Sequence, residues 1–124
     1  MGNVSSVLAD KTIMGINTDI MQSMDAVWKQ NNMVVRARVN MIHRAAEAIL
    51  LGTLAPELEA RATSEAHTLR GEFAAFGYSE ASTVAASAES LLKDQWRRSQ
   101  ADAHELYQLV HLLRREVEAA VAAA

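Results

Sequence analysis

Cysteine is absent from this chain, and proline occurs once in 124 residues. Without cysteine there is no disulfide, no thiol nucleophile and no zinc-thiolate site, which suits a reducing cytoplasm. One proline and five glycines leave few places where a helix must break, so long helices are expected. Aromatic residues make up 5% of the chain although half of it is hydrophobic, so Ala, Leu, Val and Met must supply most of the core. Positive charge is not in excess: the formal net charge is −3, which argues against a general nucleic-acid binder. No uncharged apolar run approaches the ~18 residues of a membrane span. Glu-x-x-His does not occur, which excludes the di-iron carboxylate bundle pattern. Neither a nucleotide-binding glycine box nor an acidic pattern for Mg²⁺ is present.

What the chain has is helical periodicity. Residues 1–17 show no clean period, and the expected division is an irregular segment there and one helical domain over 18–124. Thr18-Asp19 can cap a short extra helix ending near Trp28, with Met14, Ile16, Ile20, Met24 and Val27 on its apolar side. A second helix is expected from about Asn32 to Leu51, with Val35, Val39, Ile42, Ala46 and Ile49 as its core stripe and Gly52 as its stop. Pro56 fits the first turn of a third helix, where Glu57 and Glu59 favour the helix dipole. Gly77 ends that helix and Ser79 is expected to cap a fourth, so the pair forms an antiparallel hairpin. Val84, Ala88, Leu91 and Leu92 face inward on the fourth helix, Glu89 lies at the edge of that stripe, and Lys93, Arg97 and Arg98 form a basic end. After a turn near Ser99 to Ala103, a last helix carries Ala103, Leu106, Val110, Leu113, Val117 and Ala120 inward. The expected fold is all-α: an antiparallel four-helix bundle with an extra N-terminal helix.

The third helix carries the chemistry. Leu58, Ala62, Ala66, Leu69, Phe73 and Phe76 form its apolar stripe. At about 100° per residue, His67 lies roughly 140° from the centre of that stripe and points to water or a partner. Thr63, Ser64, Gly71 and Ala74 surround it with small side chains, which suits a docking face. A mid-helix glycine costs on the order of 1 kcal/mol relative to Ala, so Gly71 one turn beyond the histidine leaves room for something to approach. Arg70 flanks the same face and can neutralise an anion on the ring.

Ala66-His67, then Leu69-Arg70-Gly71, then Phe76-Gly77 resembles the signature of histidine-containing phosphotransfer (HPt) domains: Ala-His-x-Leu/Ile-Lys-Gly, with a second Gly ten residues after the His. The similarity runs from about Val35 to Leu113. The resemblance implies a phosphocarrier of a two-component phosphorelay, with His67 exchanging a phosphoryl group with the aspartate of a response-regulator receiver domain or accepting it from a histidine kinase. It implies Arg70 as the stabiliser of the phosphoryl group. It implies Glu89 as the group that hydrogen-bonds and orients the ring, as in the N-terminal phosphotransfer domain of chemotaxis kinases. No cofactor is expected on this chain, and Mg²⁺ is expected on the partner receiver. Arg70 replaces the usual Lys, and Glu72 and Phe73 stand where small residues are common. The phosphoacceptor helix of sensor kinases also contains His-x-Leu-Arg, but Thr-Pro follows there and Gly71-Glu72 follows here. Autonomous ATP-dependent kinase activity is not expected.

The chemistry matches the residue types. An imidazole with the ordinary pKa of about 6.5 is mostly neutral at cytoplasmic pH and so nucleophilic. A guanidinium one turn away can hold the charge on phosphoryl oxygens. Neither Arg70 nor Glu89 is expected to matter much for folding. His43, His104 and His111 have weaker claims, because His104 and His111 are two turns, or about 10 Å, apart on one helix. Met1 to Ser6 formally fits the loose myristoylation pattern and reads as a chance match. The expected protein is a cytoplasmic monomer that binds a receiver or kinase, not nucleic acid or membrane. Two alternatives remain: a non-phosphorylated helical interaction module, which Glu72 favours, and the N-terminal HPt domain of a longer chemotaxis-type kinase.

Overall fold

Four helices account for nearly all of residues 11–94 and 99–123, which the computed structural model describes. They are α1 (Lys11–Leu51), α2 (Pro56–Ala75), α3 (Ser79–Lys93) and α4 (Gln100–Ala123). α1 packs on α2 and α4, and α3 packs on the same two, which makes a closed four-helix bundle. No helix among the described residues is long and apolar enough to cross a membrane. Met1 to Ser6, Arg97 and Arg98 lie outside the described residues.

The separate N-terminal helix is not seen. Helix runs unbroken through Trp28 to Asn32, so the stretch expected to form that helix is the first part of the 41-residue α1. Asn31-Asn32 reads as a break, yet Asn32 bonds within the helix. Its side-chain amide donates to the Lys29 carbonyl, and its Oδ1 accepts from Arg36 Nε at 3.3 Å. With its amide satisfied locally, an asparagine does not stop a helix that is packed on a core.

Both expected glycine stops hold, with one geometry. Gly52 and Gly77 have φ of +71° and +83°, where a side chain would be strained. At Gly77 the N–H donates to Ala74 O at 3.1 Å and the next N–H, of Tyr78, donates to Phe73 O at 2.8 Å. These paired bonds are a Schellman closure, and they fix the angle at which α3 leaves α2. The residue in the N-cap position of α3 is Tyr78, not Ser79, and no side-chain cap is made. Ser99 caps α4: its N–H and Oγ donate to Asp102 Oδ2 at 2.8 and 3.1 Å, and Asp102 N–H donates back to Ser99 Oγ at 3.3 Å.

The core follows the stripes. Val35, Val39, Ile42 and Ala46 are buried on α1, Ala62, Ala66, Leu69 and Phe73 on α2, and all six expected residues on α4. On α3 the buried line is Ala81, Ala85, Ala88 and Leu92, and Val84 and Leu91 are half-buried beside it. Trp28 is the largest fully buried side chain, with its ring 5.3 Å from both Phe76 and Tyr78 and 6.1 Å from Phe73. It closes the end of the bundle where the α2–α3 turn lies. Trp28 is not among the expected core residues, although Trp28, Val35, Ile42 and Ile49 recur every seven residues on one face.

Candidate functional site

The α2–α3 hairpin builds the site. Alanine fills the facing positions, Ala62 and Ala66 on α2 and Ala81, Ala85 and Ala88 on α3. Small contact residues bring two helix axes close. His67 lies ten residues before Gly77 and Glu89 twelve after it, so an antiparallel hairpin sets them level. The His67 side chain is 62% exposed and the Glu89 side chain 6%.

His67 Nδ1 and Glu89 Oε2 are 2.9 Å apart. An ionised carboxylate only accepts, so Nδ1 carries the hydrogen and donates it. In the neutral ring the lone pair is then on Nε2, the nitrogen that faces outward. The geometry offers one nucleophilic nitrogen and fixes which one it is.

Glu89 is buried, which corrects the expectation that it sits at the edge of its stripe. The Ala85 and Ala88 side chains are too short to lift α2 away, and side chains from both helices close over the carboxylate. Lys93 Nζ lies 3.0 Å from Oε2, and Arg70 Nη1 lies 3.4 Å from Oε1 without hydrogen-bond alignment. Burial acts to raise the pKa of Glu89. Hydrogen bonds from Lys93 and His67, with the positive charge of both, outweigh it and hold the carboxyl below its ordinary value. The premise behind expecting little effect of Glu89 on folding, a solvated edge position, does not hold, because the carboxylate is buried and depends on these partners.

Arg70 is about half exposed, and Ser82 Oγ donates to its backbone carbonyl at 2.9 Å, tying α3 to the same turn of α2. Gly71 faces open space: a Cβ built there would meet nothing within 4 Å. Ser64 and Ala74 are exposed, and Thr63 is half-buried with its Oγ1 donating to Glu59 O at 2.8 Å. Small side chains thus stand beside His67 on α2, with the longer Arg70 and Lys93 next to Glu89.

Glu72 turns away from this face. Arg38 of α1 reaches both it and Glu65, with Nε 3.1 Å from Glu72 Oε1 and Nη1 2.8 Å from Glu65 Oε1. Sequence reasoning missed Arg38 and also missed Lys93 as a partner of Glu89. The Glu89/Lys93 spacing of four residues was the available signal for the second. Nothing local in the sequence points to the first, since its partners lie on another helix.

The remaining histidines stand apart from the site. His43 meets the Tyr107 ring edge-on at 5.3 Å, and His104 and His111 are exposed on α4. Burial, then the charge of Glu47, raises the Tyr107 pKa. Among the described residues no three His, Cys, Asp or Glu side chains group as metal ligands.

The fold and this hairpin define a four-helix bundle that presents one oriented, solvent-facing imidazole. The model of the Hpt domain family matches residues 35–123, and the chain belongs to that family. Membership makes it a histidine phosphotransfer domain of phosphorelay signalling, a class that works with receiver domains and kinases. Comparison with curated proteins gives no match, and comparison with solved structures gives none either.

Proposed function

We propose that this chain carries a phosphoryl group on His67 Nε2, exchanging it with the aspartate of a response-regulator receiver or receiving it from a histidine kinase. The observation that carries this reading is the His67–Glu89 hydrogen bond, which leaves the exposed nitrogen unprotonated. In transfer from a receiver, the Nε2 lone pair forms the N–P bond while the P–O bond to the aspartate breaks, and the aspartate leaves as a carboxylate. The ring gains positive charge and keeps its Nδ1 proton, now held more strongly by Glu89. Arg70 meets the phosphoryl oxygens. Mg²⁺ belongs to the partner receiver in this reading.

Docking uses the face of α2 around His67, namely Thr63, Ser64, Gly71 and Ala74, with exposed parts of α1. Glu72 would favour the interaction-module alternative if it projected into this face, but it is engaged with Arg38. The test is incubation with a panel of phosphorylated receivers. Label that is acid-labile and base-stable, and lost in His67→Gln with helicity unchanged, supports the reading. Label retained by His67→Gln, or no label on the wild type from any receiver, overturns it.

A further inference from the structure

Glu89 holds more positive charge than it needs. One buried carboxylate meets Lys93 at 3.0 Å and Arg70 at 3.4 Å, besides the His67 N–H at 2.9 Å. The groups facing it are thus His67 and Arg70 from α2 and Lys93 from its own helix. The two cations are not equivalent. Lys93 shares Oε2 with the imidazole, close enough for a charge-assisted hydrogen bond. Arg70 approaches the other oxygen, Oε1, which accepts no hydrogen bond; both side chains reach solvent, Lys93 more than Arg70, so the difference lies in the bonding and not in exposure. Lys93 is the cation hydrogen-bonded to Glu89, and Arg70 is held by charge alone.

We propose that Lys93 is a positioning residue: it anchors the Glu89 carboxylate against His67 Nδ1, so that Arg70 can leave Glu89 for the phosphoryl group. This rests on His67 being the phosphoacceptor. In the resting site both cations face Glu89. When phosphorus bonds to Nε2, the phosphoryl oxygens compete for Arg70. If Arg70 were the sole counterion, its departure would leave a buried carboxylate beside a lone imidazole N–H, at a large desolvation cost. With Lys93 in place the carboxylate remains ionised and aimed, and it can accept from a ring that is becoming positive. Lys93 sits in the last turn of α3, where the helix dipole favours a cation, so its placement costs the fold little.

The experiment combines a spectroscopic and a kinetic readout on the full chain. Nitrogen-15 NMR at alkaline pH reports which ring nitrogen of neutral His67 bears hydrogen. Wild type should show the Nδ1–H form, Lys93→Met should shift towards the Nε2–H form, and Lys93→Arg should restore the wild-type signal. In transfer from one phosphorylated receiver, Lys93→Met should slow the reaction by about 10-fold, the worth of roughly one charge-assisted hydrogen bond. Arg70→Ala should then cost less in the Lys93→Met background than in wild type, because there Arg70 is already committed to Glu89. An unchanged tautomer in Lys93→Met overturns the anchoring role. Rate effects that simply multiply overturn the release of Arg70. If wild type takes no label at all, the carrier reading and Arg70's part fall together, and the tautomer result still decides whether Lys93 holds Glu89.

Discussion

Replacing Gly71 separates what the helix prefers from what the docking face requires. The residue lies inside α2, exposed, and an added Cβ meets no atom within 4 Å. No packing term therefore opposes a side chain, and only helix propensity remains. Gly71→Ala should stabilise the free protein by about 0.5–1 kcal/mol, since glycine is that much poorer than alanine in a helix. For a domain of this size that is a rise in Tm of roughly 4 °C. Gly71→Leu should also fold and melt no lower than wild type. Phosphoryl transfer should move the other way: slightly slower for Ala, and blocked or severely slowed for Leu, because the side chain stands one turn from His67 on the docking face. Thermal melts followed by circular dichroism give the first sign, and transfer from a phosphorylated receiver gives the second. A small phosphodonor such as phosphoramidate needs no docking, so it should label Gly71→Leu as it labels wild type. A lower Tm for Gly71→Ala would mean the backbone requires glycine there. Wild-type transfer by Gly71→Leu would mean the glycine is not clearing space for a partner.

Arg70→Ala should slow transfer by about 10- to 1000-fold and Arg70→Lys should recover much of it, measured with one receiver at fixed ionic strength; equal rates for wild type and Arg70→Ala would reduce Arg70 to a surface charge. Arg38→Ala leaves Glu65 and Glu72 without their shared cation across α1 and α2, and should cost about 1 kcal/mol in urea unfolding, with less loss in Glu65→Gln/Glu72→Gln backgrounds. Because the folded-state pKa of Glu89 lies below its ordinary 4.5, its stabilising contribution is complete above 4.5 and is lost as pH falls through the lowered value. Wild type should therefore lose stability faster than Glu89→Gln on acidification below that point, and parallel curves of unfolding free energy against pH would refute this assignment. Glu89→Gln should also slow transfer less than Arg70→Ala, since an amide oxygen can still accept from Nδ1.

The bundle was legible because apolar residues recur at helical spacing and because glycine marks both of the tight turns. The six inward residues of α4 and the stripe of α2 needed nothing more than period. The one misread element was α1, where Gly15, Asn17 and the Asn31-Asn32 pair weaken local propensity. Propensity is a weak guide when a helix has a face to bury. Trp28 supplies that face beyond Asn32, and the side chain of Asn32 is satisfied within the helix. A seven-residue recurrence ending in a lone tryptophan was present in the sequence but is a thin signal by itself.

The site was legible to the extent that it lies on one helix. Exposure of His67 and the open space at Gly71 follow from angles around α2 and needed no tertiary information. Charge partnerships between helices are another matter. Glu72 carried no expected partner, and the periodicity of α3 put Glu89 only at a stripe edge, with its bond to His67 implied by the family resemblance alone; both are engaged by a neighbour. What decides the two cases is how closely the neighbours approach. Across the alanine-lined α2–α3 contact the carboxylate of Glu89 is enclosed and becomes part of the histidine's environment. Across α1–α2 the long Arg38 side chain spans the gap and pairs with both Glu65 and Glu72. Side-chain size at the contact sets that approach, so the alanines of α2 and α3, which carry no chemistry themselves, are what make Glu89 a partner of His67 and not a surface charge.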